Sequence, residues 1–273
     1  NTLHIPPQSQ TPGGDPGQEQ SRTIVLTTNN GSKLFASDTF NSNGGSMISV
    51  GKNAQLMINC EIEGKASASK PYSLVSVADG ASLTLDTNAN LHGGSDGVSV
   101  GGPAIFKMTG GRVHDNSGTG ISVNSTSSDI QISGGSIENN GTGVYVGSNS
   151  NLSLKGGTFT GNTNDVVIGA PTQSTPPSSN TPSVTIGNDS TVTANIRIDG
   201  SSTPPVSTKT QLTIGHGATL TGDVTVGGFM ASDSRPNVQN EGTIDGNVSL
   251  GANTKLQNDG TIKGVVVTEE GAS

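Results

Sequence analysis

His114, with Arg112 two residues before it and Asp115 beside it, is the densest gathering of reactive side-chain types in this 273-residue sequence. The stretch GGRVHDNSGTGISV that holds them begins at Gly110, and GGSIENNGTGVYV, beginning at Gly134, has nearly the same layout. Aligning the two glycine pairs sets His114 over Glu138 and Asp115 over Asn139. If each copy is one layer of a stack, an imidazole, a guanidinium and two carboxylates lie within about 5 to 10 Å of one another. Those groups have the chemistry to cleave or bind a sugar acid. The same residues on an outward face would form only a solvated ion pair. The solvated face is the simpler expectation, so no residue is assigned a catalytic role.

Other constellations are thinner. Glu61 and Glu63 are a tight carboxylate pair, and their i, i+2 spacing points both to solvent from a single strand. GGSDGVSVG at 93 has a partial likeness to calcium-binding nonapeptide repeats. Val98 stands near where a second carboxylate is needed, so Ser95 and Asp96 are expected to form a turn and no metal site. His4, His92, His114 and His216 are dispersed along the chain, and no metal cluster or cofactor site is expected from them. Cys60 is the only cysteine, which excludes an intrachain disulfide and reads as a small buried hydrophobe.

Composition narrows the fold. Forty glycines, no tryptophan, two tyrosines and five phenylalanines leave an aliphatic core without aromatic bulk or an aromatic sugar platform. No segment holds apolar residues at a sustained helical period. The net charge of −8 comes with only 13 scattered basic residues, which argues against nucleic acid as a partner. No apolar run is long enough for a transmembrane helix. Residues 1–22, rich in Pro, Gly and Gln, are expected to be a flexible tether without a signal-peptide pattern.

The glycine pairs belong to a repeat. From Gly110, Gly134 and Gly156, an apolar residue follows three places on (Val113, Ile137, Phe159) and an asparagine six places on (Asn116, Asn140, Asn162). Val50, Val77, Val100, Val123, Val146 and Ile168 recur at intervals of 27, 23, 23, 23 and 22 residues. Six places beyond most of them comes Leu56, Leu83, Phe106 or Leu152, and Ile130 takes that role after a one-place slip. Further on, TVTANIRID at 191, TLTGDVTVG at 219, TIDGNVSLG at 243 and TIKGVVVT at 261 align without gaps. Pro-containing insertions at 171–182, 201–208 and 228–236 interrupt this shorter unit.

Such periods, each holding two or three short strands, describe a solenoid in which one coil buries its aliphatics only against the next. The expected fold is all-β: a right-handed parallel β-helix of about ten coils of roughly 18–24 residues, a single domain over 23–273. The spacing of six between Val238, Ile244, Leu250, Leu256 and Ile262 would also suit a left-handed hexapeptide helix. Apolar doublets two apart, such as Val184 and Ile186, and the right-handed default of parallel crossovers favour the former. The glycine pair is expected to set a corner and the asparagine to lock it, with Asn116, Asn140 and Asn162 in one amide ladder and Asn240 and Asn258 in another.

The unit GG-x-aliphatic-x-x-N resembles the repeats of bacterial surface and secreted right-handed β-helix proteins, including adhesins, autotransporter passengers and Gram-positive wall proteins. GTIDGNVSLG also resembles bactofilins, which are polymer-forming β-helical scaffolds. The first resemblance spans roughly residues 40–268 and implies a non-enzymatic adhesin or structural stalk, secreted or on a bacterial surface. Its partner would be a cell-surface or host protein or glycan. A membrane barrel and a wall-sorting tail, found in full-length members, have no counterpart here. A carbohydrate-active enzyme or polysaccharide-binding module, and a self-assembling scaffold, stand as alternatives. A lyase of this architecture would need an aspartate cluster beside Lys or Arg. The chain has only Arg22, Arg112, Arg197 and Arg235.

Overall fold

The computed structural model describes residues 2–6, 23–28, 32–37, 40, 45–124, 128–147, 150–170, 172–173, 179–200, 210–230 and 236–273. These form a parallel β-solenoid with three long faces of eleven, ten and ten strands. The first face runs from Leu3–Ile5 to Val266–Thr268, the second from Thr23–Thr27 to Leu256–Asn258, and the third from Lys33–Phe35 to Thr261–Ile262. Successive strands along the chain visit the three faces in turn, so each strand pairs with the one a coil earlier and a coil later.

Period-2 alternation puts the aliphatics inside. Ile5, Val50, Val77, Val100, Val123, Val146, Ile168, Ile198, Val226 and Leu250 form one column on the first face. All of them are buried. Leu56, Leu83, Phe106, Ile130 and Leu152 form the corresponding column on the second face. The one-place slip at Ile130 is therefore absorbed in the corner after Val123, not in the strand. The doublets Val184/Ile186, Leu212/Ile214 and Val248/Leu250 each carry two inward residues around an outward one. Burial of this aliphatic stack is the main favourable term.

The glycine pairs turn the chain from the second face to the third. The second glycine carries the requirement: Gly111 and Gly135 have φ of +76° and +85°. A Cβ on Gly111 would also lie 2.4 Å from the Ala89 carbonyl oxygen. Only glycine meets both conditions. The asparagines lock a different corner, the next one, between the third face and the first. The expectation that pair and asparagine share a corner is thus corrected: a three-residue strand, such as Arg112–His114, separates them.

That next corner holds a ladder longer than expected. The Asn116 oxygen accepts from the Gly94 N–H, Asn140 accepts from the Asn116 N–H and amide, and Asn162 accepts from the Asn140 N–H and amide. The Asn162 amide donates to Asp165, whose other oxygen accepts from the Asn195 N–H and amide. Asn195 then accepts from the Asp223 N–H, Asp223 from the Asn247 N–H and amide, and Asn247 from the Val265 N–H. The second ladder also forms, with the Asn240 amide donating to Asn258. Corner N–H groups that no strand pairs are satisfied in this way.

One boundary differs from expectation. Leu3–Ile5, assigned to the tether, form a strand in register with Ile48–Val50; Ile5 lies over Val50 and is buried, whereas Leu3, over Ile48, is exposed. Residues 7–22 lie outside the described residues, as do 201–208, 231–235 and, within the first insertion, 171 and 174–178. Thr172–Gln173 and Ser179–Asn180 pair only with each other, as an antiparallel hairpin.

Candidate functional site

Two outward columns run along the third face in the first half of the chain. Lys33, Glu61, Asn90, Arg112 and Ser136 make one; Phe35, Glu63, His92, His114 and Glu138 make the other. His114 does lie opposite Glu138. The Arg112 guanidinium donates to Glu138 at 2.7 Å. The structure adds three residues to the four expected. His92 stacks on His114 with ring centroids 4.9 Å apart and planes 13° apart. Asn90 Oδ1 lies 2.7 Å from His114 Nε2, and Glu61 lies 3.0 Å from His92 Nε2. Two of the four histidines read as dispersed, His92 and His114, are therefore in contact, because a 22-residue interval is one coil here.

Each reactive group is held by another member of the cluster. His114 Nδ1 lies 2.7 Å from the Asp115 carboxylate, so both ring nitrogens are engaged, and the residue is buried. The hydrogen bond from His114 holds the Asp115 carboxyl below the usual range. Arg112, with help from Ser136, does the same for Glu138. Lys33 bridges Glu61 and Glu63, and its contact with Glu63 lowers that carboxyl. Glu61 and Glu63 flank the buried Ile62, as their spacing predicts.

Asp115 also has a purely conformational reason to be where it is. It has φ of 50°, Asn139 one coil later has φ of 53°, and Gly161 fills the same corner position with φ of 68°. Asp, Asn and Gly are the residues that most readily adopt this left-handed geometry.

The remaining candidates resolve simply. Asp96 opens a first-face strand and accepts from the Thr119 N–H; burial pushes its carboxyl up. Cys60 is buried in the core, and burial pushes its thiol up. Among the described residues no three His, Cys, Asp or Glu side chains are grouped so as to hold a metal ion. Among them, too, no helix is long and apolar enough to cross a membrane.

Residues 19–159, just over half the chain, match the family model described as a right handed beta helix region. The chain belongs to that family. No curated protein and no solved structure matches it.

Proposed function

We propose that this chain is a non-enzymatic scaffold: a β-helical stalk or adhesin, secreted or exposed on a bacterial surface. The observation that carries the reading is the closed state of the third-face cluster. A general acid must hold a proton near the working pH. The hydrogen bonds from Arg112 and His114 instead shift the carboxyls of Glu138 and Asp115 downward, away from that condition. Both ring nitrogens of His114 are hydrogen-bonded within the cluster, to Asp115 and Asn90, so a substrate would have to displace one of these partners before the imidazole could act on it. The continuous aliphatic column and the amide ladder meanwhile make a rigid support, the property a stalk needs.

On such a support, loops carry recognition. In each case the strands that flank a Pro-containing insertion are a first-face strand and the following second-face strand, on consecutive coils. Deleting residues 171–180, which leaves a four-residue corner (169, 170, 181 and 182) like that at 147–150 and keeps the buried Thr181, is expected to reduce retention of the labelled protein on cell surfaces severalfold. The far-UV circular dichroism should lose no more than the short Thr172–Gln173 and Ser179–Asn180 pair, since the strands ending at Ile168 and beginning at Ser183 stay intact. Undiminished retention would remove the loops from the binding surface.

A further inference from the structure

Along the second outward column of the third face the order is Glu63, His92, His114, Glu138, one residue per coil. A carboxylate thus lies one coil before the stacked imidazoles and another lies one coil after them. Glu61 and Asp115 reach the rings directly, 3.0 Å from His92 Nε2 and 2.7 Å from His114 Nδ1. The fixed cations are spent on these carboxylates: Lys33 on Glu61 and Glu63, Arg112 on Glu138. Lys65, in the corner that follows, also attracts Glu63. Four carboxylates therefore stand against three fixed cations around the two rings.

The ring contacts favour the charged form. An imidazole with a single N–H donates only once. His114 has an oxygen 2.7 Å from each nitrogen, Asp115 at Nδ1 and Asn90 at Nε2, so only a ring with both protons donates to both. A neutral ring would need the Asn90 amide turned over, with its NH2 toward Nε2. Charge acts in the same direction. Glu63 is lowered first by its hydrogen bond from Lys33 and further by the charge of His92. Asp115 is lowered first by its hydrogen bond from His114 and further by the charge of both rings. Glu138 is lowered first by Arg112 and further by the charge of His114. Each attraction is mutual, and favours the imidazolium as much as the carboxylate. Partial burial of the rings and their repulsion across 4.9 Å oppose it. Coulomb energy falls with distance, and each ring has a hydrogen-bonded carboxylate closer than the other ring, so the attraction prevails.

We infer that the stacked histidines form an acid-tightened clasp. As pH falls from about 7.5 to about 5.5, His92 and His114 take up protons in turn and hold the strands Glu61–Glu63, Asn90–His92, Arg112–His114 and Ser136–Glu138 more firmly together. A folded chain that binds more protons than the unfolded chain gains stability as pH falls. The gain is complete below the pH at which imidazoles of the unfolded chain titrate. It is lost as pH rises through the range where the folded pair releases its protons. Proton uptake needs no ligand, so the clasp and the scaffold reading can fail separately.

The test is urea denaturation of the chain at about pH 5.5 and about pH 7.5, at one ionic strength. The unfolding midpoint should be higher at the lower pH, with the folding equilibrium constant in water larger by about tenfold. Asp115→Asn should remove most of that difference and still fold, since Asn139 holds the same corner position one coil later with the same left-handed backbone. His92→Gln should do likewise. Asn90→Asp, which sets a carboxylate against His114 Nε2, should widen the difference. Gln in place of the exposed His4 and His216 should leave it unchanged. Equal midpoints at the two pH values, a higher midpoint at the higher pH, or a difference that survives both Asp115→Asn and His92→Gln would each overturn the clasp.

Discussion

Val123→Asp is expected to destabilise the solenoid by on the order of 4 kcal/mol or more. Val123 is fully buried and sits in the first-face column between Val100 and Val146. A carboxylate there loses its water and gains no partner, so it must either stay charged at high cost or bind a proton. Because each coil contacts only its neighbours, the damage should spread through the adjacent coils and broaden the unfolding transition. The same substitution at Gln131, which faces outward on the second face, should cost under about 0.5 kcal/mol. Chemical denaturation of both variants measures the contrast. Equal midpoints for the two would contradict the inward assignment.

Asn140→Ala is expected to cost about 3 kcal/mol. Its oxygen accepts from the Asn116 N–H and amide, and its amide donates to the Val113 carbonyl and to Asn162. Truncation leaves the buried Asn116 N–H without an acceptor, which costs roughly 1–3 kcal/mol, and also removes the amide's bonds to the Val113 carbonyl and to Asn162. Asn140→Asp should not rescue, since a carboxylate cannot donate to Val113 or to the Asn162 oxygen. Asn116→Ala removes the acceptor for the Gly94 N–H and the donor to the His114 carbonyl and to Asn140, and should likewise cost roughly 1–3 kcal/mol. Denaturant midpoints report all three, and values equal to the unsubstituted protein would show that the side chains are not rungs of a ladder.

The column was legible in the sequence because stacking demands the same residue type at the same place in every coil. Val50 to Ile168 announce themselves by interval alone. The ladder was legible only where the asparagine kept a fixed distance from a glycine pair. Beyond residue 162 the corner shortens by one residue, and the rungs pass to Asp165, Asn195, Asp223 and Asn247. The signal was nonetheless present: Asn195, Asp223 and Asn247 share the fifth place of the aligned segments beginning at 191, 219 and 243.

The cluster on the third face was half legible for a similar reason. Gly110 and Gly134 anchor the layers of His114 and Glu138, whereas no glycine pair precedes NLH at 90–92, so His92 and Asn90 went unaligned. Aligning NLH with RVH at 112–114 would have set His92 against His114. The pairing of His114 with Asp115 and Asn90 depends on rotamers, which no spacing encodes. Leu3 and Ile5 were hidden by the Pro-, Gly- and Gln-rich residues that follow them, which dominate the composition of the segment.

A digestion screen tests most directly whether this rod is a scaffold and not a catalyst. The purified chain would be incubated with a broad set of neutral and acidic polysaccharides, and products would be separated and detected down to single cleavage events. The closed cluster predicts no turnover on any of them, for the unsubstituted chain and for His114→Ala and Glu138→Gln alike. Turnover by the unsubstituted chain that disappears in either variant would contradict the account and make the third face an active site.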